Sequence, residues 1–238
     1  MKEKYEKNID VKLNLTESEL LAITAVAGDL EIRGVAGSNE AVIYGKVCVS
    51  KEAWLEDARI HTVEGKQAEI IADLPNQGSG WSLFGNSYAN MDLVIEVPRD
   101  LALEIRDSSG DIEINDVGAL RLYDSSGDIE IDNSSGPVTI KDSSGDIEVD
   151  RVEGDFTIES DSSGDIYASN INGIALVKKD SSGDIRLTHV TSDAIVEVDS
   201  SGEIVVQEVG GDFRVLKDGS GGIRSENVSG EVQVPAGW

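Results

Sequence analysis

The chain holds one cysteine, Cys48, in 238 residues. A lone cysteine forms no intramolecular disulfide, so no oxidised framework staples this fold. Cys48 sits in the apolar run Val47-Cys48-Val49, which reads as buried packing and not as a reactive thiol. Aromatic residues are scarce, at 5%. Cations are also scarce, with 20 Lys and Arg against 46 Asp and Glu and a formal net charge of -26. Such a charge opposes binding to nucleic acid and to anionic membrane surfaces, because both carry phosphate. No apolar stretch reaches the roughly 20 residues of a membrane-spanning helix. The opening residues, Met-Lys-Glu-Lys-Tyr-Glu-Lys-Asn, hold no apolar core and so no signal peptide. The expected location is the cytoplasm, or the cell envelope, periplasm or exterior if a signal has been removed.

What is abundant is small and repetitive. Glycine numbers 25, and apolar residues make up 39% of the chain, enough to bury a core of Val, Ile and Leu. The tetrapeptide Asp-Ser-Ser-Gly occurs six times, starting at Asp107, Asp124, Asp142, Asp161, Asp180 and Asp199, and Asp218 opens a variant, Asp-Gly-Ser-Gly. The first two intervals are 17 and 18 residues and the last four are 19. A fixed period of this size marks a stacked repeat architecture.

Each unit contains two half-repeats. One is Asp-Ser-Ser-Gly-Asp-Ile-x-apolar; the other is apolar-x-Gly-Asp-apolar-x-apolar, as in Val152-Glu153-Gly154-Asp155-Phe156-Thr157-Ile158. Both hold short runs of period two, the signature of a strand with one buried face. Ile147, Ile166, Ile185, Ile204 and Ile223 fall in one column; Val149, Ala168, Leu187 and Val206 fall in a second. Val152, Ile171, Val190, Val209 and Val228 make a third, and Phe156, Ala175, Ala194 and Phe213 a fourth. The residues between them, such as Glu148, Tyr167 and Arg186, are expected to face outward. Asp at the first and Gly at the fourth position suit a type I turn, so the tetrapeptide turns each coil at the same corner.

The sequence therefore predicts an all-β, single-domain β-solenoid over residues 1–238, with parallel stacked short strands. Residues 107–238 form regular coils of about 19 residues. Residues 1–106 form irregular coils and a cap, because a terminal repeat must close an open core. The solenoid is expected to begin near residue 20, with an insertion or longer hairpin over about 50–90. The alternating run Ile9 to Leu15 is available to cover the N-terminal end. Pro235 blunts the other end, which favours a monomer, with end-to-end self-association as the alternative.

The run Gly-Asp-Ile-Glu-Ile, the repeated Ser-Ser-Gly-Asp-Ile and the lead-in Val94-Ile95-Glu96-Val97-Pro98-Arg99-Asp100-Leu101 resemble the bacterial putative-adhesin family of domains of unknown function. The resemblance covers roughly residues 20–238. It implies a β-solenoid and an association with the cell envelope or surface, and it supplies no catalytic residues.

Three constellations are candidates for function. The first is a pair of acidic ladders flanking the turn: Asp107, Asp124, Asp142, Asp161 and Asp180, and four residues along Asp111, Asp128, Asp146, Asp165 and Asp184. Read as an exposed edge, these carboxylates cap turns, and with the serine hydroxyls they also offer oxygens to weakly held calcium. Turn capping is the simpler reading, and calcium is the one cofactor they suggest. The second is a polysaccharide-cleaving site. Acid–base chemistry needs groups in distinct environments, whereas equivalent aspartates give a ladder. The histidines, His61 and His189, lie far apart in sequence, and no nucleophile motif is present. The third is the Gly/Ser/Asn-rich loop carrying Trp81, Phe84 and Tyr88, either an anchor for a partner or a cap. The expectation is a non-enzymatic envelope or surface scaffold, adhesin-like, meeting a protein or glycan partner through an extended repeat surface. A calcium-responsive module and a carbohydrate-active β-helix enzyme are the alternatives.

Overall fold

The computed structural model describes residues 4–75 and 87–236. Its N-terminal part contains β1 (Tyr5–Asn14), β2 (Leu20–Thr24), β3 (Leu30–Val35), β4 (Glu40–Val49), a short helix α1 (Trp54–Asp57), β5 (Arg59–Val63), β6 (Gln67–Asp73) and β7 (Ala89–Pro98). From there strands alternate between two sheets. One sheet receives β8 (Ala102–Arg106), β10 (Leu120–Tyr123), β12 (Val138–Lys141), β14 (Phe156–Ser160), β16 (Ala175–Val177), β18 (Ala194–Asp199), β20 (Phe213–Asp218) and β22 (Val232–Gln233). The other receives β9 (Ile112–Val117), β11 (Ile129–Ser134), β13 (Ile147–Val152), β15 (Ile166–Ile171), β17 (Ile185–Val190), β19 (Ile204–Val209) and β21 (Ile223–Val228). The chain is a β-solenoid. Each sheet has 11 strands, and within the regular part all pairings are parallel.

The predicted columns are the observed registers. Ile147 pairs with Ile166, Ile166 with Ile185, and Ile185 with Ile204, and all four are fully buried. Val149, Ala168, Leu187 and Val206 lie in register beside them. In the facing sheet Phe156, Ala175, Ala194 and Phe213 stack, so side-chain size varies along the column while burial stays complete. Parallel strands stack at about 4.8 Å, so like residues meet like residues in successive coils. One polar residue interrupts the third column. Ser134, fully buried in register with Val117 and Val152, donates its hydroxyl to the Gly118 carbonyl at 2.7 Å.

The drift of the period from 17 to 19 has two local causes. Between Val117 and Leu120 the second corner holds two residues; between Ser134 and Val138 it holds three, and it keeps three afterwards. The second added residue is a bulge, where the register of β12 against β14 shifts after Ile140 and pairs Lys141 with Ser160.

A further regularity is absent from the sequence reading. Asp116, Asn133, Arg151, Asn170, His189, Glu208 and Asn227 all have left-handed φ of 54 to 61°. Each sits one residue before the third apolar column. The left-handed turn removes one residue from the alternation and lets Val149 and Val152, three apart, both point inward. Four of the seven are Asn or Asp, the non-glycine types that adopt this conformation most readily.

In the N-terminal part, chain order and spatial order differ. The coil made by β2 and β3 lies between β6 and β7 on one side and β8 and β9 on the other. β6, within the segment read as an insertion over about 50–90, and β7, which begins at its end, thus add a strand to each sheet. Beyond it β4 runs antiparallel to β7, and β1 antiparallel to β4, with Ile9 opposite Gly45 and Leu13 opposite Ala41. β5 closes the other sheet against β6. The run Ile9 to Leu15 does cover this end, helped by Trp54, which is partly buried against the core. Cys48 is buried and free. The opposite end carries only the two residues of β22, and Val232 and Val234 are exposed there.

Replacing Ile166 by Asp places a charge among fully buried aliphatic groups. The expected loss is about 4 kcal/mol or more in urea-induced unfolding. A loss under about 1 kcal/mol would contradict this core assignment.

Candidate functional site: the acidic corner and its adjoining face

The corner assigns a task to each letter of Asp-Ser-Ser-Gly-Asp-Ile. The second serine donates its hydroxyl to the first serine's carbonyl in the preceding coil, as Ser126 does to Ser108 at 3.2 Å and Ser182 to Ser162 at 3.1 Å. The glycine N–H points the other way, and Gly145 reaches the Ser163 carbonyl at 3.1 Å. Gly164 has φ of +129°, and a Cβ there would lie 1.9 Å from the Gly145 carbonyl oxygen. Only glycine lets successive corners approach so closely. The isoleucine N–H then opens the regular ladder, Ile147 to the Asp165 carbonyl at 2.8 Å.

The two acidic ladders have separate positions. The aspartates after the glycine face outward, and each carboxylate accepts the N–H of its successor in the next coil. Asp128 donates to Asp111 at 3.1 Å, Asp146 to Asp128 at 2.9 Å, Asp165 to Asp146 at 2.9 Å and Asp184 to Asp165 at 2.8 Å. Asp29 extends this relay into the N-terminal coils by accepting from Asp111 at 3.3 Å. The Tyr167 hydroxyl on Asp165, at 2.7 Å, and the Asp184 N–H hold the Asp165 carboxyl below its ordinary range. At the opposite corner Asp155, Asp193 and Asp212 do the same for Ile174, Asp212 and Glu231.

The ladder that opens the tetrapeptide is not the exposed edge expected from sequence. Asp107, Asp124, Asp142, Asp161, Asp180 and Asp199 are buried, at 6% exposure or less. Strand alternation causes this: Ile105 points in, Arg106 out and Asp107 in again. The two ladders thus lie on opposite sides of the turn, and the hydroxyl of the second serine in each corner is engaged with backbone. Among the described residues no three carboxylate, imidazole or thiol groups converge to hold a metal ion.

Outside the corner, the sheet containing β9 presents an acidic strip on β3, β9, β11 and β13. Glu31, Glu113, Glu130 and Glu148 are in direct register on adjacent strands, followed by Tyr167 and Arg186. The four glutamates, with Tyr44 and Lys46 of β4 and Asp111, Asp128 and Asp146, line an open groove of about 800 Å³. Glu31 pairs with Arg33, and Glu113 accepts from Asn115 at 2.8 Å. Glu130 and Glu148 make no ion pair among the described residues. Arg151 lies alongside, paired to Asp132 and Asp150. The glutamate strip was legible as the outward position of Gly-Asp-Ile-Glu; the groove was not, because it depends on the antiparallel strand β4.

Of the three loop aromatics, Trp81 and Phe84 lie outside the described residues. Tyr88 is partly exposed, and its backbone N–H donates to the Ser50 hydroxyl at 3.0 Å. His61 and His189 are both exposed and distant in the fold, paired respectively with Asp73 at 3.7 Å and Glu208 at 3.0 Å.

Residues 64–235 match the sequence family described as Toastrack DUF4097. The chain belongs to this family. Among solved structures, the Toastrack chain is similar to one named "putative adhesin" from Bacteroides fragilis, with a TM-score of 0.55 and 14% identity over 96% of this chain and 97% of that one. At that identity the likeness shows the fold alone. A protein named "putative cell adhesion protein" from Clostridium sporogenes aligns over 98% of this chain and 100% of its own, at 14% identity and a TM-score of 0.36. No curated protein matches the sequence significantly.

Asp165→Ala removes the acceptor of the Asp184 N–H, whereas Asp165→Asn keeps an oxygen in place. The Ala variant is expected to lose about 1–2 kcal/mol in urea unfolding and the Asn variant under about 0.5. Equal losses in both would show that the outward ladder does not serve as a backbone acceptor.

Proposed function

We propose that this Toastrack chain is a non-enzymatic, adhesin-like scaffold of the cell envelope or surface, which binds a partner of basic character along the glutamate face. The observation that carries the reading is the register of Glu31, Glu113, Glu130 and Glu148 on four adjacent strands beside the outward aspartates. Carboxylates repeated at one spacing form a continuous negative strip, which steers and holds an extended positive surface. The same repetition argues against acid–base catalysis, which needs carboxyls whose environments differ. The name given to the structurally similar Bacteroides fragilis protein agrees with a role in adhesion. No helix is long and apolar enough to cross a membrane among the described residues. Weak calcium association would use the same solvent-facing strip, with water completing the shell.

The test compares the chain with its Glu113→Gln, Glu130→Gln, Glu148→Gln triple variant on immobilised polylysine and on neutral glycan polymers, across a salt series. The wild type is expected to bind the cationic surface at least about tenfold more tightly than the triple variant, with the difference fading at high salt. Equal binding by both would refute the acidic-face reading. Release of new sugar ends from any glycan polymer, abolished by substituting one carboxylate, would replace the scaffold with an enzyme.

A further inference from the structure

The inward aspartates form a column that the fold leaves without counter-charge. Their basic sequence neighbours Arg106, Lys141 and Lys179 lie exposed on the outer face. In Asp161, Asp180 and Asp199 one oxygen accepts a serine N–H, at 2.7, 2.6 and 3.1 Å. The other oxygen of each is buried without a partner, as are both oxygens of Asp107, Asp124 and Asp142. The charged groups that bear on the column are carboxylates throughout. They are its own members above and below, together with Asp29, Asp128, Asp146 and Asp184 of the outward ladder.

Ionised carboxylates in this arrangement meet two penalties, desolvation and mutual repulsion at about one strand spacing. A proton relieves both without needing space in a packed interior. A calcium ion would need six to eight oxygens converging on one point, and among the described residues no three carboxylates of the column converge.

We propose that aspartates of adjacent coils share protons, the O–H of one carboxyl donating to the free oxygen of the next, so that the column is a proton-binding stack inside the solenoid. A carboxyl–carboxylate hydrogen bond is short and strong, and it replaces repulsion between coils with attraction. No covalent bond other than O–H is involved, and the protons come from solvent. The inference is independent of the glutamate face, which lies on the other side of the backbone.

The column's titration agrees with the geometry. Burial pushes the Asp107, Asp124, Asp161 and Asp199 carboxyls up to about 6 and Asp180 to about 7, with neighbouring aspartates adding to the shift. Because these values lie above the ordinary 3.8, the folded chain holds more protons than the unfolded one across roughly pH 4 to 7. The column's contribution is complete below about pH 4 and is lost as pH rises through about 6 to 7. Asp150, Asp165 and Asp212 are lowered and act oppositely, losing their contribution in acid below the ordinary carboxylate range. Stability should therefore peak near pH 4 and fall from there toward pH 7.

The experiment is a carbon-13 titration of aspartate carboxyls in the full chain, paired with urea unfolding from about pH 5 to pH 8. A subset of carboxyls should titrate above about pH 5.5, and the urea midpoint should fall as pH rises. In an Asp161→Asn, Asp180→Asn, Asp199→Asn variant, the fall should be smaller and the high-value subset reduced. If that variant does not fold, Asp180→Asn alone and the wild-type titration decide. Complete ionisation of all aspartates by about pH 5 would overturn the proposal. So would a column that stays ionised at neutral pH only until a chelator is added, which would make it a cation site.

Discussion

The whole stack depends on how one coil's corner is hydrogen-bonded to the next. Strand ladders run along the two sheets, yet at each turn the backbone leaves its ladder geometry and its polar groups need other partners. The Asp-Ser-Ser-Gly-Asp unit supplies them from within itself. A serine hydroxyl reaches back, a glycine N–H reaches forward, and a carboxylate takes the N–H of its successor. Each interaction is worth only about 1 kcal/mol. Their effect comes from repetition, because every coil makes them with both neighbours and all share one register.

That constraint also explains the surface. Once the corner fixes register, any residue type repeated in the sequence becomes a column in space. The glutamate strip and the outward aspartates follow from this. Arginines temper the strip locally: Arg33, Arg151 and Arg186 interrupt it by pairing with acids or lying over Tyr167. Such exposed pairs add little to stability, so their effect is on the pattern of charge that a partner meets. The ends obey different rules. Strands β1, β4 and β5 close the N-terminal side with antiparallel pairing, while the last coil carries Arg224, Ser225 and Glu226 at exposed positions of its edge strand. Polar residues on an edge discourage further strand addition.

Much of the fold was legible because stacking forces like residues into register. The columns Ile147–Ile204 and Val152–Val228 follow from period alone. The order of the first coils was not legible, since β2–β3 and β6–β7 have similar alternation and their exchange is decided by long-range pairing. The direction of the first aspartate ladder was missed because Asp opens a turn, where charge suggests solvent, while backbone alternation from Ile105 carries it inside. The left-handed column escaped because it uses Asn133, Arg151, His189 and Glu208 instead of glycine. Its recurrent Asn and Asp were the available signal. Of the candidate sites, the outward ladder and Glu148 were visible as repeated letters, whereas the groove needed the return of β4.

The most direct test of the account is native-state hydrogen exchange at the corner glycines. If the corner lattice joins the coils, the amides of Gly127, Gly145, Gly164 and Gly183, donors to serine carbonyls at 3.1 to 3.2 Å, should be protected as strongly as the strand amides of Ile147 and Ile166. They should also open together with those strands as denaturant is added. Exchange of the glycine amides at the rate of an open loop, with the isoleucines still protected, would contradict the account. The coils would then be held by their sheets and core alone, with the repeated tetrapeptide as a passive turn.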